Sequence, residues 1–231
     1  MATSVILITG AFGALGQAVA RHLAAQGHQL GLLDAAPAVP PALAAEFAAH
    51  LQLPALDLSQ PAATQQAVAA AQARFGRVDG LVNIAGGFRW ETLEAGSAAT
   101  WQAMFTINLL TAVNTCQAVL PAMLAQGSGR IVNIGAGAAA KAGAGMGAYA
   151  ASKSGVQRLT EALAEETKLR GITVNAILPS IIDTPANRRD MPDADFSRWV
   201  TPEALAEVVG FLLSDGARAI TGAGIPVTGR V

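Results

Sequence analysis

The 231 residues include one tyrosine, and its neighbourhood suggests chemistry. Lys153 follows Tyr149 by four residues, a spacing that puts both side chains on one face of a helix. An ammonium beside a phenol favours the phenolate and lowers its pKa, which suits the pair to proton transfer near neutral pH. Near the N-terminus, glycines recur at 10, 13 and 16, just after the apolar run Val5-Ile6-Leu7-Ile8-Thr9. Glycines there let the backbone turn sharply and let a pyrophosphate approach free N–H groups at a helix start. Gly10, Phe12, Gly13, Ala14, Leu15 and Gly16 form that loop; the plainer reading is an ordinary tight strand-to-helix turn. Asp34 closes the next apolar run, where a carboxylate accepts hydrogen bonds from an adenosine ribose and repels a 2′-phosphate. No arginine or lysine lies near it in the chain, so NAD is the expected cofactor, with NADH preferred over NADPH. The plainer reading of Asp34 is a helix-capping or loop carboxylate.

Elements that could position these groups are legible as two alternating patterns. Residues 5–8, 29–33, 51–56, 80–84, 130–134, 173–178 and 225–227 read as strands. Most are near-continuous apolar runs, the mark of strands buried on both faces. Helical patterns fill 14–26, 41–49, 60–75, 100–126, 148–170 and 201–213. Leu15, Val19 and Leu23 recur every four residues and form one core stripe. Thr201-Pro202-Glu203 is a helix start, with Thr201 as N-cap and Pro202 in the first turn. The alternation predicts an α/β fold: a Rossmann-type, doubly wound parallel sheet of about seven strands with helices on both faces. With no repeat and no linker in view, 1–231 reads as a single domain.

Composition narrows the function classes. Charged residues make up 13% of the chain and the net charge is -1, which argues against a nucleic-acid binder held by charge. A chain 52% apolar and nearly neutral is not disordered. The single cysteine, Cys116, allows no intrachain disulfide and no thiolate zinc cluster, and it reads as a small buried hydrophobe. No metal site is expected. The stretch 95–129 carries no charge, yet Gln102, Asn108, Asn114, Gln117 and Pro121 interrupt it, so it reads as a buried helix and not as a membrane span. The N-terminus lacks the basic segment of a signal peptide, and a cytoplasmic protein is expected.

Together these features resemble the short-chain dehydrogenase/reductase family across nearly the whole chain. The resemblance includes Leu81-Val82-Asn83-Ile84-Ala85-Gly86, Asn108, Tyr149 with Lys153, and Asn175-Ala176-Ile177-Leu178-Pro179. It implies that Tyr149 is the acid/base, that Lys153 activates it and holds the nicotinamide ribose, and that Asn108 anchors a water near the lysine. It also implies cofactor contacts at Asp57, Asn83, Ala85, Gly86, Pro179, Ile182 and Thr184. A pairing of the 100–126 helix and the tyrosine helix with a second copy is implied too, giving a homodimer or homotetramer.

Three departures from the family pattern sharpen the reading. Ala14 stands where a glycine is usual, and Ile84 replaces a second asparagine. Ala136 stands where the family carries a substrate-orienting serine, thirteen residues before Tyr149. That loss, with the run 183–199, is similar to the dihydropteridine reductase branch of the family. The expected reaction is hydride transfer from NADH to a quinonoid dihydropterin or a related conjugated electrophile, with Phe88, Trp90, Ala136, Met146 and Trp199 around the substrate. Trp90 and Trp199 read equally well as packing under a loop. A carbonyl reductase or alcohol dehydrogenase for another small substrate is the rival reading, and a non-catalytic NAD-binding protein the third.

Overall fold

The computed structural model describes residues 3–231. Seven strands form one sheet: β1 (Val5–Thr9), β2 (Gln29–Leu33), β3 (Leu51–Leu53), β4 (Gly80–Asn83), β5 (Gly129–Ile134), β6 (Ile172–Pro179) and β7 (Gly224–Val227). Their order is β3-β2-β1-β4-β5-β6-β7, and every pair is parallel. The order reverses between β1 and β4, and in open α/β sheets ligands bind beyond the strand ends at that point.

Helices cover both faces because side chains alternate along each strand. Ile6 and Ile8 point to one face, where they pack with Val19, Leu23, Leu205 and Val209 from α1 (Ala14–Ala25) and α8 (Pro202–Leu213). Leu7 points to the other, with Val68, Val119, Met123 and Leu163. Those residues come from α3 (Pro61–Phe75), α5 (Thr111–Gln126) and α6 (Gly147–Thr167). The remaining helices are α2 (Pro41–Glu46), α4 (Ala98–Phe105) and α7 (Pro185–Asp190).

Several elements differ from the sequence expectation, among them the second helix, which ends at Glu46 and not at 49. The third strand stops at Leu53 because Pro54 cannot donate to the ladder, and Ala55 then adopts a left-handed φ of 54°. The helix expected over 100–126 starts at Ala98 and contains a π turn, Thr106–Leu110, between α4 and α5. The short helix α7 was not expected at all, although Thr184 caps it and Pro185 opens it. The whole run Ala98–Gln126 is long and apolar enough to cross a membrane by length and composition, and half of its most apolar window is buried within the fold. Its buried polar groups serve the core: the Asn114 amide donates to the Leu58 and Ser59 carbonyls at 2.9 and 3.0 Å.

Candidate active site

A cleft of about 960 Å³ opens where β1, β2 and β4 end. Gly10, Gly13, Ala14, Leu15 and Gly16 line it, with Asp34, Asp57, Ala85, Gly86 and Thr184. Two of the glycines are required by the backbone itself. Gly10 has a left-handed φ of 63° and lies against the Ala85 amide. A Cβ at Gly16 would collide with the Gly10 carbonyl, so α1 begins tight against the loop only with glycine there. Gly13 has no such crowding: its nearest neighbour would be the Gly10 oxygen at 3.5 Å, which leaves that side of the loop open. Thr9 holds the facing strand end, its Oγ1 accepting from the Ile84 and Ala85 amides at 3.0 Å each.

Asp34 is both a loop organiser and a lining group. Its Oδ2 accepts from the Phe12 amide at 2.8 Å and its Oδ1 from the Ala36 amide at 2.9 Å. Each carboxylate oxygen keeps a further lone pair for a ribose hydroxyl. The left-handed bend at Ala55 lets the Leu56 amide donate to the Asp34 carbonyl at 2.9 Å, and so brings Asp57 round to the cleft. Hydrogen bonds from Ser59 hold the Asp57 carboxyl below its ordinary pKa.

The tyrosine helix approaches the cleft through Gly86. A Cβ there would press on Asn108 Oδ1 and lie 3.5 Å from Lys153 Nζ. Burial pushes the Lys153 ammonium down to about 8 and the Tyr149 phenol up to about 12. The net shift of Tyr149 is upward, opposite to the lowering expected from the lysine. Lys153 Nζ donates to the Ile134 carbonyl at 2.8 Å, and desolvation dominates both groups.

Asn108 sits in the π turn, where an extra residue in the helix turns its side chain inward. Its Oδ1 accepts from the Gly87 amide at 2.9 Å, and its Nδ2 donates to the Gly87 carbonyl at 3.0 Å and to Ser152 Oγ at 3.1 Å. The two hydroxyls nearest Tyr149 in the chain are committed elsewhere. Ser152 Oγ donates to the Tyr149 carbonyl and Ser154 Oγ to the Ala139 carbonyl, both at 2.7 Å. Ala136 lies buried two residues past Ile134 and offers no hydroxyl.

Above the phenol the walls are apolar. Phe88 meets the Tyr149 ring edge-on, with centroids 5.0 Å apart, and more than half of its surface is exposed. The Trp90 indole lies against Gly145 and donates from Nε1 to the Ala144 carbonyl at 3.0 Å, tying together the two loops that flank Tyr149. Met146 is half-buried at the start of α6. Among the described residues, no three His, Cys, Asp or Glu side chains come together as a metal site.

The model for the family described as "short chain dehydrogenase" matches residues 4–195. The chain belongs to the short-chain dehydrogenase family. D-threitol dehydrogenase of Mycolicibacterium smegmatis is 36% identical over 97% of this chain and 91% of that protein. The 3-oxoacyl-[acyl-carrier-protein] reductase FabG of Pseudomonas aeruginosa is 35% identical over 97% and 96%. Among solved structures, levodione reductase superposes with a TM-score of 0.90 at 33% identity, over 98% of this chain and 96% of that one. NAD+-bound xylitol dehydrogenase superposes with 0.90 at 27% identity, over 98% of both chains. None of the relatives named here is a dihydropteridine reductase.

As a short-chain dehydrogenase, the chain is an oxidoreductase with an NAD(P)-binding fold, and the cleft fits a dinucleotide. The open side at Gly13, the crowded glycines that bring α1 to the loop, and Asp34 at the strand end provide for its diphosphate and ribose.

Several residues expected at the site lie elsewhere. The Phe12 side chain is in the core, so only its backbone belongs to the loop. Asn83 is buried: its Oδ1 accepts from Thr115 Oγ1 at 2.7 Å, and its Nδ2 donates to Asn133 Oδ1 at 2.9 Å and approaches Cys116 Sγ. It joins β4 to α5 and β5 and has no free side-chain group for a cofactor. Pro179 is buried at the end of β6, and Ile182 pairs with Val200 and packs on the core; neither lines the cleft. Trp199 is 6% exposed and packs on Phe196 at 4.8 Å, so it is packing under the loop and not an open stacking face. Cys116 is the buried hydrophobe expected, its thiol pushed up to about 12.

Other groups were missed. Thr9 acts through Ile84 and Ala85, and Ser152 through Asn108 besides the nearby Tyr149 carbonyl; Ile84, Ala85 and Asn108 are distant in sequence. Arg189, far along the chain from Asp34, lines the same cleft.

Proposed function

We propose that this chain is an NAD(H)-dependent reductase of small, flat, conjugated carbonyl or imine compounds, with Tyr149 as its only side-chain proton donor. The observation that carries this reading is the commitment of Ser152 and Ser154 to backbone carbonyls beside a buried Ala136. A bound reduced nicotinamide supplies the hydride. Tyr149 Oη then gives its proton to the atom that has gained electron density, and the Lys153 ammonium favours the phenolate left behind. Asn108 keeps Gly87 and Ser152 in register around this pair. Phe88 gives a planar ring an apolar face next to the phenol.

A simple ketone concentrates negative charge on one oxygen, and losing one donor to such an oxygen costs about 10²–10³ in rate. A conjugated ring spreads that charge, so one donor serves. The names levodione reductase, threitol dehydrogenase and xylitol dehydrogenase support redox chemistry between carbonyl and alcohol for this chain. Asp34 and the NAD+-bound relative support NADH over NADPH. A quinonoid dihydropterin is the narrower form of the same reading and rests on Ala136 and the run 183–199. The second reading is a reductase or dehydrogenase of simple ketones and alcohols, favoured by the polyol relatives. The enzyme works in the cytoplasm and pairs with a second copy of itself.

The test is Tyr149→Phe, assayed with NADH and a polycyclic ortho-quinone. The wild type oxidises NADH, while the variant's kcat falls at least ~tenfold with its NADH Kd unchanged. Equal turnover by the two proteins rejects Tyr149 as donor, and NADH binding by a wild type with no turnover on any carbonyl supports a non-catalytic role.

A further inference from the structure

The cleft has a charge problem. A dinucleotide brings a diphosphate with two negative charges, and the cleft already holds Asp34 and Asp57. Among the described residues, its only cationic lining group is Arg189. Among the described residues Arg189 has no ion-pair partner. Its neighbour is held firmly. Arg188 makes a two-pronged contact with Asp183, at 2.6 and 2.7 Å, and its guanidinium lies 4.9 Å from the Phe196 ring centre.

Successive helical residues project about 100° apart. Arg188 is turned to Asp183 and Phe196, while Arg189, the next residue, lines the cleft. Further bonds hold the segment in place. Asn187 Nδ2 donates to the Ile182 carbonyl at 2.8 Å, and the Asp183 amide donates to the Val200 carbonyl at 2.8 Å. The polar run 183–199 is thereby a strap that places Arg189 in the lining of the cleft that the glycine loop also lines.

We infer that Arg189 binds the diphosphate of the dinucleotide cofactor, in the cleft that the glycine loop also lines, and that the Arg188–Asp183 pair positions it. This rests on the dinucleotide reading of the cleft. A guanidinium fork matches two phosphate oxygens at once and offsets the repulsion from Asp34 and Asp57.

Direct titration of the full chain tests it, with NADH, NADPH and ADP-ribose against the wild type, Arg189→Ala and Arg189→Lys. Arg189→Ala is expected to raise Kd about tenfold for all three, since all carry the diphosphate. Arg189→Lys is expected to fall between, keeping the charge but losing the fork. A loss confined to NADPH would move the contact to the 2′-phosphate and overturn the inference. Unchanged Kd values in Arg189→Ala would overturn it outright. A wild type that binds none of the three ligands would overturn the cofactor reading itself, a result distinct from either. Arg189 is exposed, so matching thermal unfolding of the three proteins is expected and separates lost binding from lost folding.

Discussion

At the residue scale, the proposed mechanism works through a buried lysine and a half-buried tyrosine whose protons are moved from their ordinary ranges. Lys153 titrates near 8 and Tyr149 near 12, both because burial disfavours charge. Tyr149 therefore keeps its proton throughout the neutral range, as a donor must. Lys153 is the group that changes state. Below about 8 it is an ammonium and favours the phenolate formed on proton transfer; above that pH it is neutral and gives no such help. The kcat/KM for reduction is expected to fall as pH rises through about 8, in an initial-rate profile from pH 6 to 10. A flat profile over that range would contradict the assignment. The tyrosine and lysine stood out in the sequence through their spacing together with the glycine loop, Asp34 and the order of the strands. The energetics were not, because spacing does not reveal that Lys153 Nζ turns to the Ile134 carbonyl.

At the element scale, the strands and the glycine turn were legible because apolar runs and glycine spacing are local signals. What depended on distant partners was not. The π turn exists where Asn108 reaches Gly87 and Ser152, which lie 21 and 44 positions away. Asn83 stood in a family motif beside the cofactor, yet its partners Thr115 and Asn133 make it a joint between β4, α5 and β5. Asn83→Ala is expected to cost about 1–3 kcal/mol in urea unfolding, since it strands buried partners. NADH affinity should change less than ~threefold, because the residue makes no wall of the cleft. A tenfold rise in Kd at full stability would restore Asn83 as a cofactor ligand. The short helix α7 was missed although its signal was present: Thr184-Pro185 repeats the pattern that correctly marked Thr201-Pro202. Six residues are too few to carry a helical period.

At the scale of the whole molecule, the low charge of the chain has two destinations. One is the doubly covered sheet. The other is an apolar surface on the run Ala98–Gln126, where Trp101 and Phe105 are exposed. A second copy is the occupant proposed for that face, and sedimentation at micromolar concentration is expected to show a dimer or larger. A monomer there would contradict the pairing. The central claim concerns substrate class. On the proposed reading, Ala136, Ser152 and Ser154 leave Tyr149 as the sole side-chain donor among the described residues, so the intact enzyme should favour electrophiles that spread their charge. The most direct test is kcat/KM with NADH for a quinonoid dihydropterin, a polycyclic ortho-quinone and cyclohexanone under one set of conditions. At least one conjugated substrate is expected to exceed cyclohexanone by about 10²-fold or more, the scale of one missing donor. Equal or faster turnover of cyclohexanone would contradict the account.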